Sequence, residues 1–152
     1  MVVFPSGPTK AVRTFIENTV HFGVDGDEAE WEAMVPNKGM VYLEDPNDKN
    51  LKLFTVSIFH QLRCLDIIRK GIVDLEARHS RSPLDSETSL TALTHHCVNY
   101  LRQMVLCRSD LDLDTVFGSP KPAVYSDTYQ CKDWEAIYRD VEKNQKAYRD
   151  SN

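Results

Sequence analysis

A chain of 152 residues with 41% hydrophobic side chains suits one domain with a single core. Its net charge of −5 gives no electrostatic reason to expect nucleic acid or an anionic membrane surface, and its basic residues are scattered apart from Arg78-His79-Ser80-Arg81. No stretch approaches the ~20 apolar residues that span a bilayer, and residues 1–7 show neither the charged nor the long apolar region of a signal peptide.

In chain order, residues 10–22 alternate weakly, with Val12, Thr14 and Ile16 on one side, and predict a strand. Asp25-Gly26-Asp27 is a turn. Asp27 with Glu30 reads as a capping box opening a short helix that carries Trp31 and Met34 and stops at Pro36. Met40-Val41-Tyr42-Leu43 and Leu51-Lys52-Leu53 flank a Pro46-Asn47-Asp48 turn, the pattern of a β-hairpin. From Phe54 the period lengthens: Ile58, Leu62, Leu65, Ile68 or Arg69, Ile72 and Leu75 recur at helical spacing and predict a long amphipathic helix ending near Ala77. Residues 80–89 form a polar loop around Pro83, with Asp85, Ser86 or Thr88 as the next N-cap. A second long helix follows to about Cys107, with Leu90, Leu93, Cys97, Leu101 and Met104 on its buried face. Residues 110–129, with Gly118, Pro120 and Pro122, read as a long irregular connection. A last helix starts near Asp133 and carries Trp134, Ile137, Tyr138 and Val141. The expected fold class is mainly α with a small β part: two long antiparallel helices, a β-hairpin and a C-terminal helix, in one domain over 1–152.

The chemistry concentrates on the two long helices. The first holds His60-Gln61-Leu62-Arg63-Cys64 and the second His95-His96-Cys97, so three of the five histidines and two of the four cysteines fall in two short windows. His60 and Cys64 are four residues apart and share a helix face. His96, Tyr100 and Gln103 share another, Cys97 turns toward Leu93 and Leu101, and His95 points about 100° away from His96. The bland reading is that these are ordinary core residues. No CxxC ribbon, HExxH, P-loop, GxSxG or glycine-rich dinucleotide motif is present. Four cysteines permit two disulfides in three connectivities, or buried thiols and ligands in a reducing compartment. There is no Asn-x-Ser/Thr acceptor.

The runs FHQLRCLDIIRKG, HHCVNYLRQMVLC and CKDW, with WEAMVPNKGMVYL upstream, resemble the UstYa family of fungal proteins over about residues 31–138. That resemblance makes 31–138 a family-matching core and 1–30 an N-terminal extension. It implies kinship with oxidases and cyclases that tailor secondary metabolites, notably ribosomally made cyclic peptide toxins. The family signature is two HxxHC motifs, usually with a later His-x-Cys, thought to form a copper-dependent oxidative site. His60, Cys64, His96, Cys97 and Cys131 match it. Arg63, Leu93 and Tyr129 stand where three of the five signature histidines are expected. Two imidazoles are fewer than the three or more protein ligands a redox metal usually needs, and the fixed charge of Arg63 opposes a nearby cation.

Three readings follow from the resemblance and its departures. In the first, the pocket is kept and the chemistry changed: His60 and His96 are general acid and base, Arg63 an anion or carbonyl clamp and Tyr129 a proton donor, for a redox-independent cyclisation, isomerisation or elimination. No cofactor is then expected. In the second, the ordinary oxidative activity persists at an incomplete metal site with copper as cofactor, against the expectation from the missing imidazoles that copper binds at micromolar or poorer affinity. In the third, the chain is a catalytically silent partner of an active homologue. The expected ligand is a small-molecule or peptide natural-product intermediate, with no nucleic acid, and self-association or pairing with a homologue is left open. The family's cysteines are expected to serve the scaffold, as bridges Cys64–Cys97 between the helices and Cys107–Cys131 across the long connection. The resemblance also implies a lumenal location in the secretory pathway, with any membrane anchor outside this sequence; otherwise the protein is soluble as made.

Overall fold

The computed structural model describes residues 4–5, 10–16, 21–45, 47, 49–81, 91–108, 116–117, 123–124 and 127–151. The elements are β1 (Ala11–Ile16), α1 (Glu28–Ala33), a 3-10 turn (Pro36–Gly39), β2 (Met40–Glu44), β3 (Leu51–Thr55), α2 (Ser57–Arg81), α3 (Ala92–Cys107), β4 (Val116–Phe117), β5 (Ala123–Val124), β6 (Asp127–Lys132) and α4 (Trp134–Asp150). The protein is mainly helical with a small strand part, as the periodicity predicts. The elements form two compact units interleaved along the sequence, one drawn from Met1–Thr19, Met40–Phe54 and Leu111–Asn152, the other from Val20–Gly39 and Thr55–Asp110.

The first unit holds three two-stranded ladders, β1–β6, β2–β3 and β4–β5. β1 runs antiparallel to β6, with Val12 opposite Cys131 and Thr14 opposite Tyr129. The expected extension thus supplies a strand, and the described parts of the 110–129 connection are strands as well. The hairpin reading holds for β2 and β3, where Lys52 Nζ sits 2.7 Å from Asp45 Oδ2. Asp133 caps α4, accepting from the Ala136 N–H at 3.0 Å. α4 then closes the edge of β2 with its own side chains. Asn144 accepts from the Tyr42 N–H and donates to the Tyr42 carbonyl, both at 2.7 Å. Gln145 donates to the Met40 carbonyl at 2.8 Å, and Tyr148 stacks on Tyr42 at 3.5 Å. A side-chain amide therefore takes the place of a third strand and satisfies the edge groups of β2. Val41 and Val141 are buried in this unit.

The second unit carries the His/Cys helices. Asp27 caps α1 through the Ala29 N–H at 3.0 Å, but the capping box is not closed. Glu30 instead accepts from the Phe22 N–H at 2.9 Å, because the chain turns back at Phe22 with φ 57°. Trp31 donates its indole N–H to the Gly23 carbonyl at 3.1 Å, and its ring lies under the Arg69 guanidinium of α2 at 5.2 Å. Arg69 also reaches the Val24 carbonyl at 3.2 Å and Asp66 at 2.8 Å. Gly39, at φ +67°, lets the chain pass over Phe59; a Cβ there would fall 2.4 Å from Phe59 Cβ. Phe59, wholly buried, anchors the start of α2 beside His60.

α2 continues past Ala77 to Arg81. Asp85, Ser86 and Thr88 lie outside the described residues, as does Leu90. The cap of α3 is Thr91, whose hydroxyl accepts from the Thr94 N–H at 3.1 Å. The buried faces are also corrected: Leu65, Ile72 and Leu93 are exposed, whereas Phe59, Cys64, Arg69, Thr94 and Cys97 are buried. A single apolar stripe describes a helix with one neighbour. Here α2 meets α3 with Cys64, Trp31 with Arg69 and Gly39 with Phe59, so its contacts turn around the helix.

Candidate functional site

α2 and α3 cross-match in an antiparallel sense: Cys64 meets Cys97, and one turn earlier on α2, His60 meets Tyr100, one turn later on α3. The spacings that put His60 with Cys64 and His96 with Tyr100 on common faces therefore converge at one seam. Its floor is the buried pair Cys64 and Cys97. Burial first, then a hydrogen bond to Cys97 and the repulsion of its charge, push the Cys64 thiol up to about 12, with Arg63 opposing. Such a thiol stays protonated and inert, a scaffold group rather than a nucleophile.

Above that floor, three rings gather. His60 lies 4.1 Å from Tyr100 between ring centroids, at 25°. His96 lies 6.2 Å from His60 and 6.3 Å from Tyr100. His60 and Tyr100 are half-buried, while His96 and Arg63 are exposed. The Tyr100 hydroxyl hydrogen-bonds to the side chains of Gln61 and Ser57. Burial, with the neighbouring Cys64, nonetheless keeps the phenol above its ordinary range, so it is a neutral O–H near pH 7. Burial, aided by the positive charges of His96 and Arg63, holds His60 below the usual imidazole range. His60 is thus a neutral proton acceptor at neutral pH.

The structure brings together His60, His96, Arg63, Cys64 and Cys97. Tyr129 is on β6 opposite Thr14, in the first unit. Cys107 is exposed at the end of α3 and Cys131 is half-buried on β6; the four cysteines are free thiols in this structure. Cys64 and Cys97 meet in a thiol–thiol hydrogen bond. Tyr100 is the residue that sequence reasoning left out of the site. Its spacing from His96 signals a shared face, but an aromatic at helical spacing reads equally well as core. Among the described residues no group of three His, Cys, Asp or Glu side chains is placed to hold a metal ion. Among the described residues, no helix is long and apolar enough to cross a membrane.

The class this defines is a mainly helical protein whose antiparallel helix pair carries a buried Cys64–Cys97 contact beside a cluster of His60, His96 and Tyr100 rings. The family profile described as "Mycotoxin biosynthesis protein UstYa" matches residues 27–143, and the chain belongs to that family. It is 30% identical over 142 residues to the UstYa family oxidase phomYb of Diaporthe leptostromiformis, covering 83% of this chain and 54% of that protein. It is 32% identical over 92 residues to the oxidase ustYa of Aspergillus flavus (59% and 40% covered) and 24% identical over 131 residues to the hydroxylase cctR of Talaromyces islandicus (84% and 46%). The chain spans about half the length, or less, of the curated relatives it matches. No solved structure gives a significant match.

Proposed function

We propose that this protein is a tailoring enzyme of fungal secondary-metabolite biosynthesis that works by proton transfer, in a cyclisation, isomerisation or elimination without net oxidation. The observation that carries the reading is the pairing of a half-buried, neutral His60 with an exposed His96 across one mouth, their rings 6.2 Å apart. His60 takes a proton from a carbon made acidic by a neighbouring carbonyl. The guanidinium of Arg63, one turn along the same helix, balances the enolate charge that develops. His96, in its charged form, returns a proton at a second atom, so hydrogen and electron counts close without an oxidant. Tyr100 stacks on His60 and is tied to α2 through Gln61 and Ser57, which makes it a positioning residue. The test is turnover of the intact biosynthetic intermediate by purified protein, without oxygen and with a chelator present. An isobaric product, or loss of one neutral fragment, supports proton transfer. Product that forms only with oxygen and metal overturns it.

The names of the relatives, oxidases and a hydroxylase, favour oxidation as the second reading. Copper retained stoichiometrically through chelation, together with a product two hydrogens lighter or one oxygen heavier, would establish it. Turnover only after a homologue is added would assign the chain a partner's role.

A further inference from the structure

The chain is acidic, with 23 Asp and Glu against 18 Lys and Arg. The seam departs from that balance, since neither residues 57–65 nor the sixteen of α3 contain a carboxylate. Along α2, Arg69, Lys70 and Arg78 each have an acidic partner. Asp66, the nearest carboxylate to Arg63 along the helix, is engaged by Arg69 and Lys70. Arg63 is exposed and forms no ion pair among the described residues. The charges felt by His60 are those of His96 and Arg63, all positive. A guanidinium left unpaired one turn from a neutral base, in a carboxylate-free stretch, fits a negative group brought by the substrate.

We infer that the α2–α3 seam takes a substrate bearing a carboxylate, held by the Arg63 fork with its reactive carbon toward His60. The inference rests on the acid–base reading above and names its substrate class. A planar carboxylate matches the two parallel N–H groups of one arginine. Phosphate recognition at a helix start draws on free backbone N–H groups, and here those of Phe59 and His60 are already bonded to the Val56 carbonyl. The carboxylate also supplies a neutralising charge that residues 57–65 and α3 do not carry.

The test uses the full chain with a matched pair of probes, benzoate and benzamide, equal in shape and different in charge. Binding is followed through the ring resonances of His60 and His96. Benzoate is expected to shift both and to saturate, more weakly as salt rises. Benzamide and inorganic phosphate at the same concentration are expected to shift neither. Arg63→Gln should weaken benzoate about tenfold or more, with Arg63→Lys in between and melting temperature unchanged because the side chain is exposed. Equal binding of benzamide, preference for phosphate, or full benzoate affinity in Arg63→Gln would overturn the carboxylate assignment. None of these outcomes depends on turnover. His60→Ala is expected to keep benzoate binding, so a failure of the acid–base reading shows separately, as unchanged turnover in that variant.

Discussion

At the scale of single residues, the proposed acid–base pair is His60 and His96, with Tyr100 stacked on His60. His60→Ala and His96→Ala are each expected to lower turnover at least ~10²-fold. Cys64 and Cys97 supply the buried contact of the seam, so melting temperature should hold, and rate and melting curve measured on the same preparation separate catalysis from folding. Tyr100→Leu removes the ring stacked at 4.1 Å on His60 and some of its burial. The expected result is a lower kcat with little change in KM, and an acidic limb of the pH–rate profile displaced upward as the imidazole regains water. Tyr100→Phe keeps the stack and should leave that limb in place. The spacing of His60 and His96 was legible in the sequence. Their company was not, because Tyr100 differs from a core aromatic only through its contacts with Gln61 and Ser57 on the other helix.

At the scale of elements, one clamp and one mimic hold the two units. In the clamp, Arg69 of α2 is over nine-tenths buried, sits on Trp31 of α1, and bonds Asp66 and the Val24 carbonyl. Removing one partner of a buried pair can cost 3–5 kcal/mol, but Lys70 still neutralises Asp66 at 3.1 Å. Arg69→Met is therefore expected to cost about 2–3 kcal/mol, read as a lower urea midpoint. In the mimic, Asn144 uses both faces of its amide on Tyr42. Asn144→Ala leaves a backbone donor and acceptor to find water and should cost about 1–2 kcal/mol. Asn144→Asp keeps the acceptor, loses the donor and should be worse than wild type in thermal melts. Helical period located α2 and α4 and left Ile68 or Arg69 open on the α2 stripe, where Arg69 is the buried one, yet it put Leu65 and Ile72 inside. Period detects one stripe, and α2 has contacts on several sides.

At the scale of the whole molecule, pH dependence joins the seam to stability. His60 titrates lower in the folded chain than its unfolded value near 6.5. Between those two values the unfolded state binds more protons, so stability is lost as pH falls below about 6.5. Cys64 is raised from 9.0 to about 12, so its contribution is complete below 9.0 and is lost as pH rises toward 12. Melting temperature against pH should thus fall away on both sides of a neutral plateau. Cys64→Ala should flatten the alkaline side and His60→Phe the acidic side. An alkaline limb untouched by Cys64→Ala would show that the thiol pair does not govern it.

The four helices and the β2–β3 hairpin were legible in the sequence, since periodicity, N-caps at Asp27 and Asp133, and turn residues are local properties; the short β4 and β5 were not, because their pairing is all that defines them. The sequence also determined family membership, since the order and flanks of the His/Cys runs survive substitution of Arg63, Leu93 and Tyr129. Which residues face one another was left to the packing of distant segments. It joined His60 to Tyr100 across two helices, set Cys64 against Cys97 and paired β1 with β6. The physical reason is that these outcomes depend on pairing between segments far apart in the chain, and such pairings follow from packing and desolvation, which no short window of residues contains.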